Sequence, residues 1–356
     1  MYYPPVTQAT PLTVIKRERL LPVRGEVLAR MGTRVESINV VARASLGGKL
    51  HVVDVGKTLS VKSEDLDKCL LKAVGDTVEE QEAIAAKGGG LIPLRQVCRS
   101  PIAGRIVAIS SGRVVLESKA ETFELHAHLR GTVVSVMPSL GVVIETVGAL
   151  VQGVWGAGGE AQGVLKMLAE DPKEKLVADA LDVGCHGSII VGGSSIDEAV
   201  LERAEQMQVR GIVVGSIGAD LGERALGFPL PVIATEGMGQ VPMASVIFEL
   251  LRSNAGREAS ISGVTRLRWG TVRPEIIIPM HQRGAKPSPQ RLGGALQVGT
   301  QVRVIRQPYL GSVGQVVSLP SQPRAVDSGA RLRGAEVELE EKGRVFVPYA
   351  NLELIG

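Results

Sequence analysis

The feature that most constrains this sequence is a change of hydrophobic periodicity near residue 150. Before that point, apolar residues occur in short β-branched runs bounded by glycine, such as Arg105–Ile109 and Arg113–Glu117, which is typical of strands. From residue 160 to 263, short apolar runs alternate with segments of helical spacing such as Ile196–Met207. Because strand–helix alternation implies a parallel sheet covered by helices, we predict an all-β domain followed by an α/β domain.

Length and composition agree with several small cores. A chain of 356 residues is too long for one ordinary core, so two or three domains are expected. Aromatic residues make up only 3% of the chain, so Val, Ile, Leu and Ala must fill the interior. The 43 glycines and 19 prolines favour many short strands joined by turns.

The cysteines and the apolar stretches indicate the cellular compartment of the protein. Three cysteines share no disulfide or metal-ligand spacing, which suits a reducing compartment: Cys69, Cys98 and Cys185. Residues 1–21 carry charges in their middle and lack an apolar core, so we expect no signal peptide. Residues 131–159 carry one charge, Glu145, but glycines and a proline interrupt them, which predicts buried strands and not a bilayer helix. The expectation is a cytoplasmic protein without membrane insertion.

A weak internal repeat lies in the first 150 residues. Its copies begin at Pro22, Pro101 and His128, and each has a glycine at the fourth position followed by an apolar strand and a second glycine turn. Repeated hairpins of this kind build barrels and sandwiches.

One stretch of this region resembles a known fold. Val74–Ala85 followed by Ser100–Ile109 is similar to the barrel-sandwich hybrid of biotinyl and lipoyl domains and of a relative in the RnfC electron-transport subunit. The resemblance covers about residues 60–120 and implies that fold. Carrier domains present their modified lysine within a short acidic or Met-flanked motif, and no such motif surrounds Lys87. We therefore expect neither biotin nor lipoate, and no other cofactor.

Glycine-rich turns follow the strands of the α/β region. In a parallel sheet such turns lie at the carboxyl edge, the usual ligand crevice, where backbone amides can hold an anion. There is no Walker lysine motif and no G-x-G-x-x-G, and tight turns between strand and helix need glycine in any case. Anion binding and a purely conformational role in tight turns both remain open for these residues: Gly192, Gly193, Ser194, Gly215, Ser216, Gly237 and Gly239.

The C-terminal residues carry the most specific pattern. Val298–Val317, with strands predicted at Gln301–Arg306 and Gln315–Leu319, resembles the KOW module of NusG-type transcription factors and of certain ribosomal proteins. The resemblance implies an SH3-like β-barrel that contacts RNA or proteins such as RNA polymerase subunits. Residues 320–333 depart from the compact module as a long basic insertion.

Arginines and one tyrosine are the candidate contacts of this module. Arginine binds phosphate and stacks on bases, and tyrosine offers a stacking face. Contact with nucleic acid, contact with a protein and a purely structural barrel remain alternatives. The acidic segment Glu336–Glu341 is expected on the opposite face because it would repel phosphate. The candidate contacts are Arg303, Arg306, Tyr309, Arg331, Arg333 and Arg344.

Two further pairs suggest chemistry only weakly. Cys185 and His186 are adjacent, and neighbours on a strand point to opposite faces. His126 and His128 share a strand face but have no carboxylate or cysteine beside them in sequence, so a structural role is favoured over metal binding. We predict no metal site and no catalytic residue.

The predicted organisation has four parts: an all-β barrel-sandwich hybrid-like domain (1–150), an α/β domain (151–278), a Pro/Gly-rich basic linker (279–295) and a separable KOW-like barrel (296–356). The predicted function is a non-enzymatic adaptor whose C-terminal module binds RNA, RNA polymerase or the ribosome. The alternative is an accessory or scaffold subunit of an enzyme complex, with the first domain docking a partner and the α/β domain binding a small anion.

Overall fold

A computed structural model describes residues 6–7, 9–61, 63–88, 96–266, 272–280, 295–339 and 342–355. This part of the chain is mostly β and forms several sheets. None of the helices within these ranges is long and apolar enough to cross a lipid bilayer. Most of the predicted linker, residues 281–294, lies outside the described residues.

The first 152 residues form short strands with one small helix, α1 (Val55–Leu59), and a 3-10 turn at Ser63–Lys68. β6, β11, β10 and β7 make one antiparallel sheet, β12, β5 and β3 a second, and β8 pairs with β9. The strands are β1 (Val6–Thr7), β2 (Ala9–Leu20), β3 (Glu26–Val27), β4 (Arg34–Val35), β5 (Val40–Leu46), β6 (Leu50–Asp54), β7 (Thr77–Val78), β8 (Ala83–Lys87), β9 (Gln96–Arg99), β10 (Gly104–Ser110), β11 (Arg113–Ser118), β12 (Glu121–His126), β13 (Gly131–Met137) and β14 (Gly141–Gln152).

The fourth residue of each repeat copy is glycine for one shared physical reason. A Cβ atom at Gly25 would lie 2.2 Å from the carbonyl oxygen of Arg43 on the neighbouring strand. The corresponding contact is 2.2 Å for Gly104 and 2.4 Å for Gly131, again to a carbonyl oxygen of an adjacent strand. The repeat therefore marks three places where two backbones approach too closely for any side chain.

Lys87, the one lysine considered as a carrier, is held by the backbone. Its Nζ donates hydrogen bonds to the carbonyl oxygens of Leu59 (3.3 Å) and Ser60 (3.0 Å) at the end of α1. The amine therefore contacts the domain surface and does not project from a hairpin tip.

Residues 155–279 contain the predicted strand–helix alternation. β16 to β19 lie side by side in chain order and are parallel, whereas β20 and β21 add on as antiparallel strands. The elements are β15 (Trp155–Ala157), β16 (Glu160–Met167), β17 (Ser188–Val191), α2 (Glu198–Gln206), β18 (Gly211–Ile217), α3 (Ala219–Ala225), β19 (Val232–Met238), α4 (Ser245–Ser253), β20 (Glu258–Ser262) and β21 (Glu275–Pro279), with 3-10 turns at Ala178–Ala180 and Val183–Cys185.

Helices cover both faces of this parallel sheet. α2 and α3 pack on one face through residues such as Leu201 and Ala225. α4 returns the chain from β19 to β20 and packs on the other face through Phe248. Because both faces are covered, the strands between them are continuous apolar runs, and every residue of β18 is buried.

One long strand joins the first two predicted domains. β14 pairs with β2 over most of its length, with β13 in its first half and with β21 in its second half. The result is an eleven-stranded sheet that runs from β15 to β4. The strands predicted in residues 131–159 are therefore confirmed, while the boundary predicted at residue 150 falls inside β14.

The C-terminal residues supply five strands of a six-stranded sheet and form a short hairpin within the basic insertion. β1 from the beginning of the chain pairs in parallel with β28, and a Cβ atom at Gly311 would lie 2.4 Å from Val241 of the α/β region. The expectation of a separable unit is therefore revised. The strands are β22 (Gln301–Val304), β23 (Val313–Ser318), β24 (Arg324–Ala325), β25 (Arg331–Leu332), β26 (Gly334–Leu339), β27 (Gly343–Pro348) and β28 (Leu352–Ile355), with a 3-10 turn at Tyr349–Asn351.

The repeat glycines yield a direct stability test. Gly104→Ala should lower the free energy of unfolding by about 1–3 kcal/mol because the new methyl group overlaps the carbonyl of Glu117. Gly47→Ala is the matched control, since no atom lies within 4 Å of a Cβ placed there. Urea unfolding monitored by circular dichroism measures both variants, and equal stabilities would contradict the assigned role of the repeat.

Candidate functional site

Arg303 lies inside the protein and not on a binding surface. It belongs to β22 and is 1% exposed. Its Nη1 donates to Oε2 of Glu236 at 2.6 Å and to the carbonyl oxygen of Thr235 at 3.1 Å, and its Nη2 lies 2.5 Å from Oε2 of Glu353. The prediction that Arg303 contacts a phosphate or a partner is therefore wrong, because both edges of its guanidinium are occupied.

The Arg303 cluster, defined as Arg303, Glu236, Glu353 and Arg273, connects two parts of the chain. Glu236 lies on β19 of the parallel sheet, whereas Glu353 lies on β28 of the C-terminal sheet. Arg273 donates to the second oxygen of Glu353 at 2.9 Å. The cluster therefore sets two guanidinium groups against two carboxyl groups, and burial raises the pKa of Glu236.

A cavity on the C-terminal sheet gathers several of the other predicted residues. This C-terminal cavity has a volume of about 450 Å³ and is lined by Arg306, Pro308, Tyr309, Asp327, Leu332 and Phe346, among others. Arg306 is exposed and Tyr309 is half-buried, and exposed Arg331 and Arg333 flank Leu332 in sequence. The structure therefore brings Arg306 and Tyr309 together at this cavity, whereas Arg331 and Arg333 are exposed neighbours of Leu332 in sequence and do not line it.

Arg344 is paired with an acidic residue of the neighbouring strand. Oxygens of Glu336 accept hydrogen bonds from Arg344, from Arg324 at 2.7 Å and from Ser318 at 2.6 Å. These hydrogen bonds, led by that of Ser318, lower the pKa of Glu336 to about 2. The expectation that Glu336 belongs to the opposite face from the arginines is wrong, because β26 and β27 pair antiparallel and bring the two side chains together.

Cations also cover the aromatic rings at this surface. The Lys342 ammonium lies 5.3 Å from the centroid of the Tyr309 ring, and the Arg324 guanidinium lies 5.5 Å from that of Phe346. Lys342, Arg324 and Phe346 are not among the contacts predicted from the sequence. The basic character of the 320–333 insertion was the available signal for Arg324.

A larger crevice lies where β17, β18 and β19 end. This central crevice has a volume of about 840 Å³ and includes in its lining Lys173, Lys175, Ser194, Asp197, Arg224 and Gln240. Its position at the carboxyl edge of the parallel strands agrees with the sequence prediction. Of the seven residues predicted to hold an anion, only Ser194 and Gly239 line it.

The remaining predicted anion ligands are used for close packing. A Cβ atom at Gly193 would lie 2.5 Å from the carbonyl oxygens of Asp171 and Glu174, and one at Gly215 would lie 2.4 Å from the amide of Met243. Gly192 faces the side chain of Leu176 at 3.0 Å, and Gly237 has φ of +100°. Gly192 and Gly193 therefore allow close packing after β17, whereas Gly215 and Gly237 lie within β18 and β19.

Ser216 is also structural. Its buried hydroxyl accepts a hydrogen bond from the amide of Val241 at 2.7 Å and donates to the carbonyl oxygen of Gly239 at 3.0 Å. This hydroxyl holds the 239–241 loop against β18.

The charges of the central crevice are balanced. Lys175 pairs with Asp197 at 3.2 Å, and Arg224 pairs with Glu198. Asp197 also caps the N-terminus of α2 by accepting a hydrogen bond from the amide of Val200. The crevice therefore offers both signs of charge, which suits a zwitterionic or neutral polar ligand better than a simple anion.

The histidine pair has a structural environment. Burial lowers the pKa of His128, whose Nδ1 lies 3.9 Å from Glu160. Arg19 makes two hydrogen bonds to the same Glu160 carboxylate, at 2.6 and 2.8 Å. Across the described ranges no cluster of three or more potential metal ligands occurs.

Cys185 and His186 have different partners. The His186 ring bonds Gln208 at 3.0 Å, whereas the Cys185 sulfur lies 3.4 Å from both Lys166 Nζ and Asp182 Oδ1. The two side chains therefore do not form a nucleophile–base pair.

Removing the central charge of the Arg303 cluster should destabilise the whole protein. Arg303→Met leaves Glu236 and Glu353 short of a partner in the interior and should cost about 3–5 kcal/mol in urea unfolding. Adding Glu236→Gln to Arg303→Met should recover part of this loss. Arg306→Met, which alters an exposed neighbour, should change stability by less than about 0.5 kcal/mol. Equal effects of Arg303→Met and Arg306→Met would contradict the buried cluster.

Glu336 should make stability depend on pH. Because its folded-state pKa is lowered from 4.5 to about 2, its contribution is present above the unfolded value and is lost as the pH falls toward 2. Glu336→Gln should therefore lower the melting temperature at neutral pH, and the difference from the wild type should vanish near the folded-state pKa. A difference that does not vary with pH would contradict the pairing.

Two places thus qualify as candidate sites, the C-terminal cavity with its basic rim and the central crevice. A third, smaller cavity shares Lys173 with the central crevice and reaches Leu310 and Val313 in the C-terminal region. No protein-family model matches this chain, and no curated protein matches its sequence.

Proposed function

We propose that this protein is a non-catalytic cytoplasmic adaptor that binds single-stranded RNA on its C-terminal sheet. The observation that carries the proposal is the C-terminal cavity, where the rings of Tyr309 and Phe346 lie beside exposed Arg306. Cationic grooves combined with aromatic rings are how proteins bind single strands without reading their sequence.

The electrostatics of this surface support binding to a phosphate backbone. The described residues from 306 to 346 include six cationic side chains and three acidic ones, with Glu340 and Glu341 outside the described part. Arg324 and Arg344 both form ion pairs with Glu336. The charges assigned to phosphate are therefore those of Arg306, Arg331 and Arg333, and arginine can bind phosphate through two parallel hydrogen bonds.

The aromatic rings support contact with bases. A cavity of about 450 Å³ is large enough for a nucleobase. Tyr309 lines the cavity while its ring lies under the Lys342 ammonium. A base stacked on Tyr309 would therefore lie close to a cation that can pair with the adjoining phosphate.

The resemblances of the sequence extend this proposal to an adaptor. A KOW-like C-terminal module suggests RNA polymerase or the ribosome as the complex that presents the RNA. The barrel-sandwich resemblance of residues 60–120 suggests a docking role for the N-terminal region. The Arg303 cluster would hold the RNA-binding surface in a fixed orientation relative to the rest of the chain.

A second candidate function rests on the central crevice. Its volume of about 840 Å³ and its position at the carboxyl edge of a parallel sheet are those of a small-molecule site. The paired charges in its lining favour a zwitterionic ligand. This would fit an accessory subunit that binds a metabolite, and co-purification of a metabolic enzyme instead of RNA would favour it.

The RNA proposal predicts a defined salt dependence. Fluorescence anisotropy of a labelled oligouridine titrated with the full chain should show affinity that falls steeply with salt. The double substitution of Arg306 and Arg331 by Glu should weaken binding. It should also flatten the slope of log affinity against log salt concentration by about one unit for each lost phosphate contact. Tyr309→Leu, which keeps apolar packing, should cost about 1–3 kcal/mol of binding free energy if a base stacks there.

Arg105→Glu is the matched control, because Arg105 is an exposed arginine on β10 of a different sheet. It should leave affinity and salt slope within error. If Arg105→Glu weakens binding as much as the Arg306 and Arg331 replacement, the C-terminal surface is not the site. Absence of RNA binding at low salt would make a protein partner the better account.

A further inference from the structure

A lysine and a cysteine lie side by side in the region of the parallel sheet. Lys166 is on β16, and Cys185 ends the 3-10 turn Val183–Cys185. Lys166 Nζ lies 3.4 Å from Cys185 Sγ. Asp182 Oδ1 bridges them, at 3.2 Å from the nitrogen and 3.4 Å from the sulfur. Three reactive groups therefore meet in one small cluster.

In this cluster the cysteine is buried, whereas the lysine and aspartate side chains are partly exposed to solvent. Cys185 is fully buried and packs in the core beneath α2 and α3. The Lys166 side chain is 33% exposed and that of Asp182 is 69% exposed. Because the Cys185 sulfur is fully buried, a small oxidant such as hydrogen peroxide reaches it when the partly exposed Lys166 side chain moves aside, whereas a large thiol reagent does not fit.

We propose that peroxide links Lys166 to Cys185 through a sulfenamide bond, which makes this cluster an oxidative modification site. In the first step the Cys185 sulfur attacks hydrogen peroxide, the O–O bond breaks, an S–O bond forms, and water leaves. The product is a sulfenic acid, the reversible first stage of cysteine oxidation, which condenses with nearby nitrogen.

The second step closes the crosslink. The Lys166 ammonium loses one proton to solvent, and the free amine attacks the sulfenic sulfur to form the S–N bond. The S–O bond breaks, and the leaving hydroxide takes the second proton from the attacking nitrogen and departs as water. In total one peroxide is reduced to two waters while the thiol and the amine together lose two hydrogens. A thiol reductant reverses the link.

The geometry selects this pair over the other described cysteines. Cys98 is buried, and this burial raises the pKa of its thiol. Its hydrogen-bond partner is Thr58, which has no amine to condense with a sulfenic acid. Cys69 is half-buried near the 3-10 turn Ser63–Lys68. In the described part of the chain, neither sulfur lies within hydrogen-bond distance of a lysine amine, as that of Cys185 does. The crosslink would tie β16 to the turn after residue 182 and would act independently of RNA binding.

The test is peptide mapping of the full chain after treatment with hydrogen peroxide. The expected product joins the peptides that contain Lys166 and Cys185, with a mass two hydrogens below their sum, and dithiothreitol should release it. Lys166→Arg keeps a cation beside the sulfur but cannot form this bond, so the product should be lost while circular dichroism stays unchanged. Cys69→Ser and Cys98→Ser should leave the product intact.

Three results would overturn the proposal. The first is oxidation of Cys185 to sulfinic or sulfonic acid without any linked peptide. The second is a Cys185 thiol that stays reduced while Cys69 is oxidised. A linked peptide that retains an added oxygen would show a different oxidation and would also overturn the sulfenamide step.

Discussion

The structure depends on one buried guanidinium. Arg303 of β22 reaches across to Glu236 of the parallel sheet and to Glu353 of its own sheet, and its side chain is only 2% exposed. Desolvating a charge in this way is costly unless every hydrogen-bonding edge is matched. Because the partners lie 67 and 50 residues away in the chain, the cluster forms only when both sheets are in place. The C-terminal sheet is therefore positioned by the rest of the molecule.

The parts of the fold that could be predicted from the sequence are those with a clear local hydrophobic periodicity. The predicted strand runs Arg105–Ile109 and Arg113–Glu117 lie within β10 and β11 of the structure, because short β-branched runs bounded by glycine are typical of strands. The role of β14 could not be predicted. Its twelve residues look like two short strands on either side of a domain boundary, and only the pairing with β21 shows that one sheet continues through it. Such pairing depends on residues more than a hundred positions away.

The candidate sites show the same limit at the level of single residues. An arginine alternating with valines, as in β22, resembles a surface residue, so Arg303 could not be separated from Arg306 without knowing the partners. Similarly, the glycines after β17 and in β18 resemble an anion-binding loop. They are needed because neighbouring backbone atoms lie within 2.5 Å of the position that a Cβ atom would take. What the sequence did locate correctly was the edge of the sheet and the basic C-terminal segment.

The central claim is that RNA binds across the C-terminal cavity of the intact chain. Ultraviolet crosslinking of the full-length protein to oligouridine, followed by peptide mass spectrometry, tests this claim most directly because it reports the contact residues themselves. The account predicts crosslinks at Tyr309 and Phe346, with none on the sheet formed by β6, β7, β10 and β11. Crosslinks confined to that other sheet, or no crosslink at all in low salt, would contradict it.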